Sequence, residues 1–342
     1  MAVITFKPKQ VTKKFLGVLP DRGSDVLIRR FGLGSDNEKM TLESIGGIYN
    51  ITRERVRQLE NSALEAIRKS DVFLNEQTSL EELKDLIYSL GGVVAEDDFL
   101  NYVSKDKGTQ NSITLLLVLG DYFKKEKENN YFKHRWVVDE AVAKSINEAL
   151  VNLYKNLSKD DLVSENDIVA SFLDNLKDIS EQYKNEEIIK RWLSLSKTID
   201  KNPLGEWGIA TSPNVNARGM RDYAFLVIRK HGSPMHFTEV AKAITDVFGK
   251  KAHVATCHNE LIKDKRFVLV GRGLYALSDW GYEGGVVKDV IKNILKKYGP
   301  LTKDEITEKV LKERYVKENT VVVNLQDCKH FKKDYKGRYL VK

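Results

Sequence analysis

The spacing of apolar side chains between residues 41 and 67 predicts two helices joined by a tight turn. Apolar residues recur at three- and four-residue steps over 42–49, and Thr41 stands where a helix cap is expected. Asn50 can adopt a left-handed turn conformation, and Thr52 can cap a second helix whose apolar face runs over 56–67. This pattern indicates a helix-turn-helix.

Polar side chains occupy the start of the second helix. Arg53, Glu54, Arg57 and Gln58 face outward once the apolar positions are turned inward. Arg can bind guanine, Gln can bind adenine and Glu can accept from cytosine, and a recognition helix presents its N-terminal residues to the major groove. The alternative is a surface helix with intrahelical ion pairs such as Glu54 with Arg57. The position of the polar set, directly after a short turn, favours DNA reading.

Residues 213–282 show a second pattern, in which a hairpin follows three helices. The helices are predicted over 221–231, 238–245 and 253–262. Alternating strands follow, joined by the turn at 271–273. This order is that of a winged helix, and Arg272 at the wing tip is expected to contact a DNA phosphate. A nucleotide-binding loop is disfavoured because the glycines join two strands rather than a strand and a helix.

Residues 283–342 repeat this plan at an offset of 67 residues, so that Lys297–Thr302 parallels Lys230–Met235. An internal repeat supports the prediction of a winged helix in both copies. The second wing is predicted over 331–341. Its basic side chains are expected to contact phosphates, and they are Lys332, Lys333, Lys336 and Arg338.

The segments between these modules carry weaker versions of the same order. Residues 71–138 and 139–212 are each predicted to be helical and are interpreted as degenerate winged helices. Pro203, Pro213 and the polar residues that follow indicate a linker before the next module. The predicted fold class is therefore mainly α with small β-wings, in serial helix-turn-helix and winged-helix modules.

The distribution of charge separates these modules. The 342 residues carry a net charge of +7, but residues 1–70 carry +5, residues 71–212 carry −9 and residues 213–342 carry +11. Basic modules hold nucleic acid by releasing its condensed counterions, whereas an acidic segment is repelled by the same polyanion. We expect the two basic ends to bind double-stranded DNA and the acidic middle to contact protein.

Composition also indicates the compartment. No apolar run reaches the length of a transmembrane helix, and the first ten residues lack the apolar core of a secretory signal. The two cysteines, Cys257 and Cys328, exclude a disulfide scaffold and fit a reducing cytosol. The expected location is the cytoplasm, in association with the nucleoid and without membrane contact.

Residues from about 12 to 70 resemble region 4 of the housekeeping-type bacterial sigma factors. The resemblance is carried by Arg29–Leu33, by Thr41–Gly46 and above all by Thr52–Glu60, which reads Thr-Arg-Glu-Arg-Val-Arg-Gln-Leu-Glu. That family uses this module to read the −35 promoter element and to hold the flap of RNA polymerase. The resemblance implies DNA and RNA polymerase as partners here.

The resemblance also implies roles for single residues. The implied base-reading residues are Arg53, Glu54 and Gln58, and the implied phosphate contacts are Thr52, Arg55 and Arg57. The helix from Ser24 to Phe31 and the helix before it would face the polymerase. Sigma factors carry region 4 at the C-terminus, after the segment that melts the −10 element, whereas about eleven residues precede it here. We therefore do not expect a complete, promoter-opening sigma factor.

Residues from about 219 to 282 resemble the HARE-type helix-turn-helix domain. The resemblance runs from Arg221 to Gly281 and ends in Gly-Leu-Tyr-Ala-Leu-Ser-Asp-Trp-Gly. That family is a winged helix found in chromatin proteins, restriction systems and an RNA polymerase accessory subunit. Its members can contact protein instead of DNA, so the resemblance implies the winged fold and leaves the partner open.

Enzymatic and metal-dependent alternatives have little support. Four residues that could ligate zinc lack a paired motif and are divided between two modules: His253, Cys257, Cys328 and His330. A nuclease is the enzymatic rival, because HARE-like domains occur beside restriction enzymes. Its nearest residues fall on one amphipathic helix rather than on a sheet: Asp304, Glu308 and Lys309. No catalytic residue, metal site or cofactor is predicted.

The sequence therefore predicts a DNA-binding transcription factor of bacterial type without enzymatic activity. Its sigma-like module would read a −35-like promoter element, and its C-terminal wings would add phosphate contacts. RNA polymerase is a suspected further partner. The alternative is an RNA polymerase accessory protein that acts mainly through protein contacts.

Overall fold

The computed structural model describes residues 4–176, 183, 185–282 and 286–342. The chain forms two compact units, one comprising residues 1–200 with 207–210 and the other comprising residues 201–206 with 211–342. Both are built from helices and small antiparallel sheets, which confirms the predicted fold class. None of the described helices is long and apolar enough to cross a membrane.

The first unit opens with four helices. They are α1 (Pro8–Leu16), α2 (Asp21–Phe31), α3 (Leu42–Tyr49) and α4 (Arg53–Arg68). Gly32 ends α2 in a left-handed conformation with φ 65°, where a side chain other than glycine is disfavoured. At the other end of this four-helix segment, the Arg68 guanidinium donates to the carbonyl oxygens of Val118 and Leu119, at 2.7 and 3.0 Å.

The next segment has the element order of a winged helix. Its elements are α5 (Asp71–Asn75), α6 (Gln77–Ser89), β1 (Val93–Ala95), α7 (Glu96–Val103), α8 (Lys107–Leu119), β2 (Lys124–Glu126) and β3 (Arg135–Val137). The sheet has the order β1-β3-β2, and all pairs are antiparallel. Trp136 of β3 is opposite Val94 and Lys125, and its ring is buried.

The remaining elements of this region are mostly helical. They are α9 (Glu140–Asn156), α10 (Glu165–Asn175), α11 (Glu186–Leu193), β4 (Ile199–Lys201) and β5 (Trp207–Ile209). The indole of Trp192 in α11 is fully buried, and its nitrogen donates to the carbonyl oxygen of Gly91 at 3.1 Å. Residues 177–182 and 184 of the predicted module 139–212 lie outside the described residues.

One hydrophobic core joins the sigma-like helices to the segment that follows them. Phe15 of α1, Ile67 of α4, Leu83 of α6 and Ile113 of α8 are fully buried in the same cluster. The amide nitrogen of Asn111, a buried side chain on α8, donates to the carbonyl oxygens of Gly32 and Asn37, at 2.8 and 3.0 Å. The segments 1–70 and 71–138, which the sequence divides, are therefore packed as one body.

The second unit contains two winged-helix arrangements. The first consists of α12 (Met220–His231), β6 (Met235–His236), α13 (Phe237–Phe248), α14 (Val254–Lys263), β7 (Phe267–Gly271) and β8 (Leu274–Leu277), with sheet order β6-β8-β7. The second consists of α15 (Val287–Tyr298), α16 (Lys303–Glu313), α17 (Glu318–Leu325), β9 (Phe331–Lys333) and β10 (Tyr339–Val341). Both ends of α15 lie 67 residues after those of α12, as the predicted repeat requires. Residues 283–285, at the start of the predicted second module, are outside the described part of the chain.

The predicted linker before α12 is a packed loop. Asn202 and Asn214 are both 3% exposed, and Val215 is buried beside them. The Asn214 side-chain oxygen accepts from Arg266 at 2.9 Å, and the same guanidinium donates to Asp222 at 2.9 Å. The polar residues that suggested a linker instead satisfy buried hydrogen bonds, so this part of the sequence prediction is wrong.

Candidate nucleic-acid interface

Side-chain caps and one left-handed residue set the turn between α3 and α4. Thr41 Oγ1 accepts from the backbone nitrogen of Ser44 at 3.1 Å, and Thr52 Oγ1 accepts from that of Arg55 at 3.2 Å. Asn50 ends α3 with φ 54°, in the left-handed region. These contacts confirm the two predicted caps and the predicted turn residue.

Packing around Gly46 fixes the angle at which α4 leaves the turn. Val26, Ile45 and Val56 are fully buried and join α2, α3 and α4 in one cluster. A Cβ atom at Gly46 would lie 2.6 Å from the carbonyl oxygen of Ile51. Only glycine fits at this position without moving the backbone, so the sequence brings α3 and α4 into close contact at the turn.

The polar side chains at the start of α4 are exposed, and four of them are paired with one another. Arg57 donates from Nε and Nη2 to the Glu54 carboxylate at 2.9 and 2.6 Å, and Arg55 Nη1 donates to Gln58 Oε1 at 3.0 Å. The hydrogen bond from Arg57 lowers the pKa of Glu54, so this carboxylate is charged at neutral pH. Arg53 is also exposed, at the N-terminal end of the helix.

These pairs leave the surface available for DNA. The Glu54–Arg57 ion pair that the surface-helix alternative expects is present, but its side chains are 58% and 53% exposed. Exposed ion pairs contribute about 0–1 kcal/mol, so contacts with bases or phosphates can replace them at small cost. Thr52 uses its oxygen to cap α4, and its hydroxyl hydrogen remains a donor for phosphate.

The helices that the resemblance assigns to the polymerase are partly covered. The buried side of α1 packs against α8, with Val11 and Phe15 in the shared core. Leu27 and Phe31 of α2 belong to the same cluster. The apolar faces of α1 and α2 are therefore occupied by the chain's own winged segment, and a partner can reach only their exposed sides.

The first wing of the second unit presents Arg272 at its tip. Arg272 is exposed between β7 and β8, and Gly273 follows it with φ 72°. A Cβ atom at Gly273 would lie 2.5 Å from His236 Nε2, so glycine is required there for two reasons. The backbone nitrogen of Tyr315 donates to the carbonyl oxygen of Val270 at 3.0 Å, which places the following module against one edge of this wing.

The second wing divides its predicted phosphate contacts into two groups. Lys332, Lys333 and Lys336 are exposed on β9 and in the turn. Arg338 instead donates from Nε and Nη2 to Asp334 at 2.9 Å, where the carboxylate also accepts from backbone nitrogens of the turn. Although burial acts to raise the pKa of Asp334, these hydrogen bonds lower it. Arg338 thus supports the wing turn, and the lysines are its accessible cations.

The residues considered for zinc and for a nuclease do not converge. Burial raises the pKa of the Cys257 thiol to about 11, whereas Cys328 is exposed. On α16, Glu308 pairs with Lys312 at 2.7 Å and Lys309 lies over the Tyr298 ring. Within the described ranges, no three His, Cys, Asp or Glu side chains are grouped as a metal site.

Sequence reasoning did not single out two lysines of the first unit. Lys39 and Lys127 line one cavity, although they lie far apart in the chain and follow no local motif. Only the packing of α2, α4 and α8 against the β2–β3 hairpin brings them together. The uneven charge of the acidic segment, in which basic residues cluster around β2, is the one signal the sequence holds.

Comparison with known families and proteins agrees with two of the predicted modules. Residues 15–69 match the model of the family Sigma-70, region 4, and residues 218–280 match that of HARE-HTH, the HTH domain of ASXL and restriction endonuclease proteins. RNA polymerase sigma factor RpoS of Coxiella burnetii is 41% identical over 73 residues, which are 21% of this chain and 20% of that protein. RNA polymerase sigma factor SigA of Nostoc sp. is 50% identical over 56 residues, 16% of this chain and 14% of that protein. The chain therefore spans one fifth or less of these relatives' length.

Proposed function

We propose that this protein is a DNA-binding transcription regulator of bacterial type whose N-terminal module reads a −35-like promoter element. One observation carries the proposal. The segment that matches sigma-70 region 4 forms a helix-turn-helix whose base-reading candidates are all exposed at the start of α4. Those candidates are Arg53, Glu54 and Gln58.

The chemistry of the α4 surface suits base edges. Arg53 offers a guanidinium for guanine, Gln58 an amide for adenine and Glu54 an acceptor for cytosine. On DNA, Gln58 would exchange its bond with Arg55 for contacts with a base, and Arg55 would turn to a phosphate. Because both partners are exposed, this exchange needs no change in the backbone.

The second unit adds contacts that do not depend on sequence. Residues 213–342 carry a net charge of +11, and the wings present Arg272, Lys332, Lys333 and Lys336 to solvent. Each such cation that neutralises a phosphate strengthens binding to every duplex and increases its salt dependence. Arg338, which pairs with Asp334, acts on DNA binding through the shape of the turn.

The second candidate function is an RNA polymerase accessory protein. It is favoured by apolar exposure on the first wing module, where Ile262 of α14 is 62% exposed and Leu269 of β7 is 45% exposed. Phosphates do not bind such side chains, whereas protein partners do. Under this function, α14 would contact protein and the basic surfaces would be secondary.

A binding selection on randomised duplexes, run with the full chain at several salt concentrations, tests the proposal. Arg53→Ala and Gln58→Ala should each lower discrimination at one or two base positions by about 1–3 kcal/mol. The double variant Lys332→Gln/Lys333→Gln should weaken all sequences alike and reduce the salt slope by about one unit for each phosphate that is no longer neutralised. Lys144→Gln, an exposed lysine of α9, is the matched control and should change neither.

The two candidate functions give different results. Unchanged sequence preference in both Arg53→Ala and Gln58→Ala would mean that α4 does not read DNA. Co-purification of the full chain with core polymerase, abolished in Ile262→Asp but kept in Arg53→Ala, would then support the accessory function. A sequence-selective wild type whose selectivity disappears in the α4 variants supports the DNA-reading function.

A further inference from the structure

A cavity of about 380 Å³ lies in the first unit between the helix-turn-helix and the first small sheet. Its lining comes from the end of α2, the loop before α3, α4, α8 and the β2–β3 hairpin. The volume falls within the range of small-molecule sites. No segment of the proposed DNA-reading surface, residues 52–58, lines it.

The cavity holds more positive charge than its carboxylates neutralise. Arg30 pairs with Glu60 at 3.3 Å, and Lys125 pairs with Glu96 at 2.6 Å. Lys39 and Lys127 also line the cavity, and neither has a carboxylate oxygen within 4.0 Å among the described residues. Two positive charges are therefore left without an ion-pair partner.

A neutral hydrogen-bond donor adds to these cations. His134 lines the cavity, and its Nδ1 accepts from the backbone nitrogen of Glu128 at 3.0 Å. A neutral ring that accepts at Nδ1 carries its proton on Nε2. That nitrogen lies 3.9 Å from the Glu128 carboxylate, beyond hydrogen-bond distance, so it can donate to a ligand.

The electrostatics of Lys39 show that the cations repel one another. Burial lowers the pKa of Lys39, and the nearby charges of Lys125, Arg30 and Lys107 lower it further, while Glu96 opposes them. An anion in the cavity would remove this repulsion. The same cations that disfavour one another would each be stabilised by a shared negative partner.

We propose that this cavity binds a phosphoryl dianion. Lys39 and Lys127 would neutralise its two charges, and His134 Nε2 would donate to a third oxygen. A carboxylate monoanion would leave one ammonium group unpaired, and the volume exceeds what a halide ion needs. The phosphoryl group belongs either to a small phosphorylated molecule or to the backbone of bound DNA, and both sources present the same oxygens to the site.

Titration of the full chain with inorganic pyrophosphate tests the site without DNA, so its result is independent of the proposed DNA reading. Saturable binding is expected, and Lys39→Gln/Lys127→Gln should weaken it roughly tenfold or more because two charge-assisted hydrogen bonds are removed. Lys105→Gln/Lys144→Gln removes the same charge from exposed positions outside the cavity and should leave binding unchanged. Glu60→Gln frees Arg30 and should tighten binding.

The same variants distinguish the two sources. If pyrophosphate does not bind, but the DNA salt slope falls by about two units in the cavity variant and not in the control, the phosphoryl group is that of the DNA backbone. Equal behaviour of the cavity variant and the control in both measurements overturns the proposal. Thermal unfolding without ligand separates binding from folding, because removing Lys39 and Lys127 should not lower the melting temperature of a cavity whose cations repel one another.

Discussion

Two adjacent glycines of α3 offer a matched pair of substitutions. A Cβ atom at Gly46 would lie 2.6 Å from the carbonyl oxygen of Ile51 and 3.6 Å from the backbone nitrogen of Arg53. A Cβ atom at Gly47 would meet no heavy atom within 4 Å. Both glycines are helical without positive φ, so the backbone itself accepts alanine at either position.

The two alanine substitutions should change stability in opposite directions. In a helix, alanine is favoured over glycine by about 0.5–1 kcal/mol, and Gly47→Ala should gain this amount. Gly46→Ala gains the same but adds an overlap with a backbone oxygen that cannot rotate away. Overpacking of this kind costs roughly 1–3 kcal/mol, so the net effect should be a loss of up to about 2 kcal/mol.

Native-state hydrogen exchange on the full chain is the suitable measurement, because the two units need not unfold together. Amide protection in α3 and α4 should fall in Gly46→Ala and rise in Gly47→Ala. Since the overlap lies at the turn that orients α4, Gly46→Ala should also weaken binding to the preferred duplex. Equal protection and equal DNA affinity in the two variants would refute the argument that Gly46 sets this turn.

Three further changes test other parts of the structure. Asn111→Ala removes two buried hydrogen bonds and should destabilise the first unit by about 1.5–3 kcal/mol in urea unfolding, whereas Asn101→Ala at an exposed site should cost under about 0.5 kcal/mol. Thr52→Ala removes an N-cap and should cost about 1 kcal/mol, seen as faster exchange in the first turn of α4, while Thr52→Ser retains most of the stability. Iodoacetamide at pH 8 should modify Cys328 alone, because Cys257 is buried and its raised pKa, about 11, keeps it a neutral thiol; mass spectrometry should find both modified only in urea.

The parts of the fold that could be predicted from sequence depend on neighbours in the chain. Thr41 and Thr52 cap helices through contacts three residues away, and Asn50 needs only its own backbone freedom. The repeat in the second unit is likewise a local order copied at a fixed offset. Hydrophobic spacing, caps and turn residues carry this information because the interactions that decide it span a few residues.

The parts that could not be predicted depend on pairs distant in sequence. Asn111 reads as an ordinary polar helix residue until its amide meets Gly32 and Asn37 across 79 and 74 positions. Lys39 and Lys127 have no shared pattern, and Asn214 looks like a linker residue because its partner, Arg266, lies 52 positions away. Polar residues in a loop have the same composition whether they are solvated or buried, so sequence alone does not separate the two states.

The shared core determines which surfaces of the sigma-like module can act without rearrangement. A partner that used the apolar face of α1 and α2 would have to displace α8, whose Ile113, Leu116 and Leu117 are fully buried. Exposing each such side chain costs about 1.5–3 kcal/mol, so displacement competes with most protein contacts. The start of α4 lies outside this core and is already exposed. DNA can therefore reach its residues with the unit intact, whereas polymerase must bind the outer sides of α1 and α2 or open the unit first.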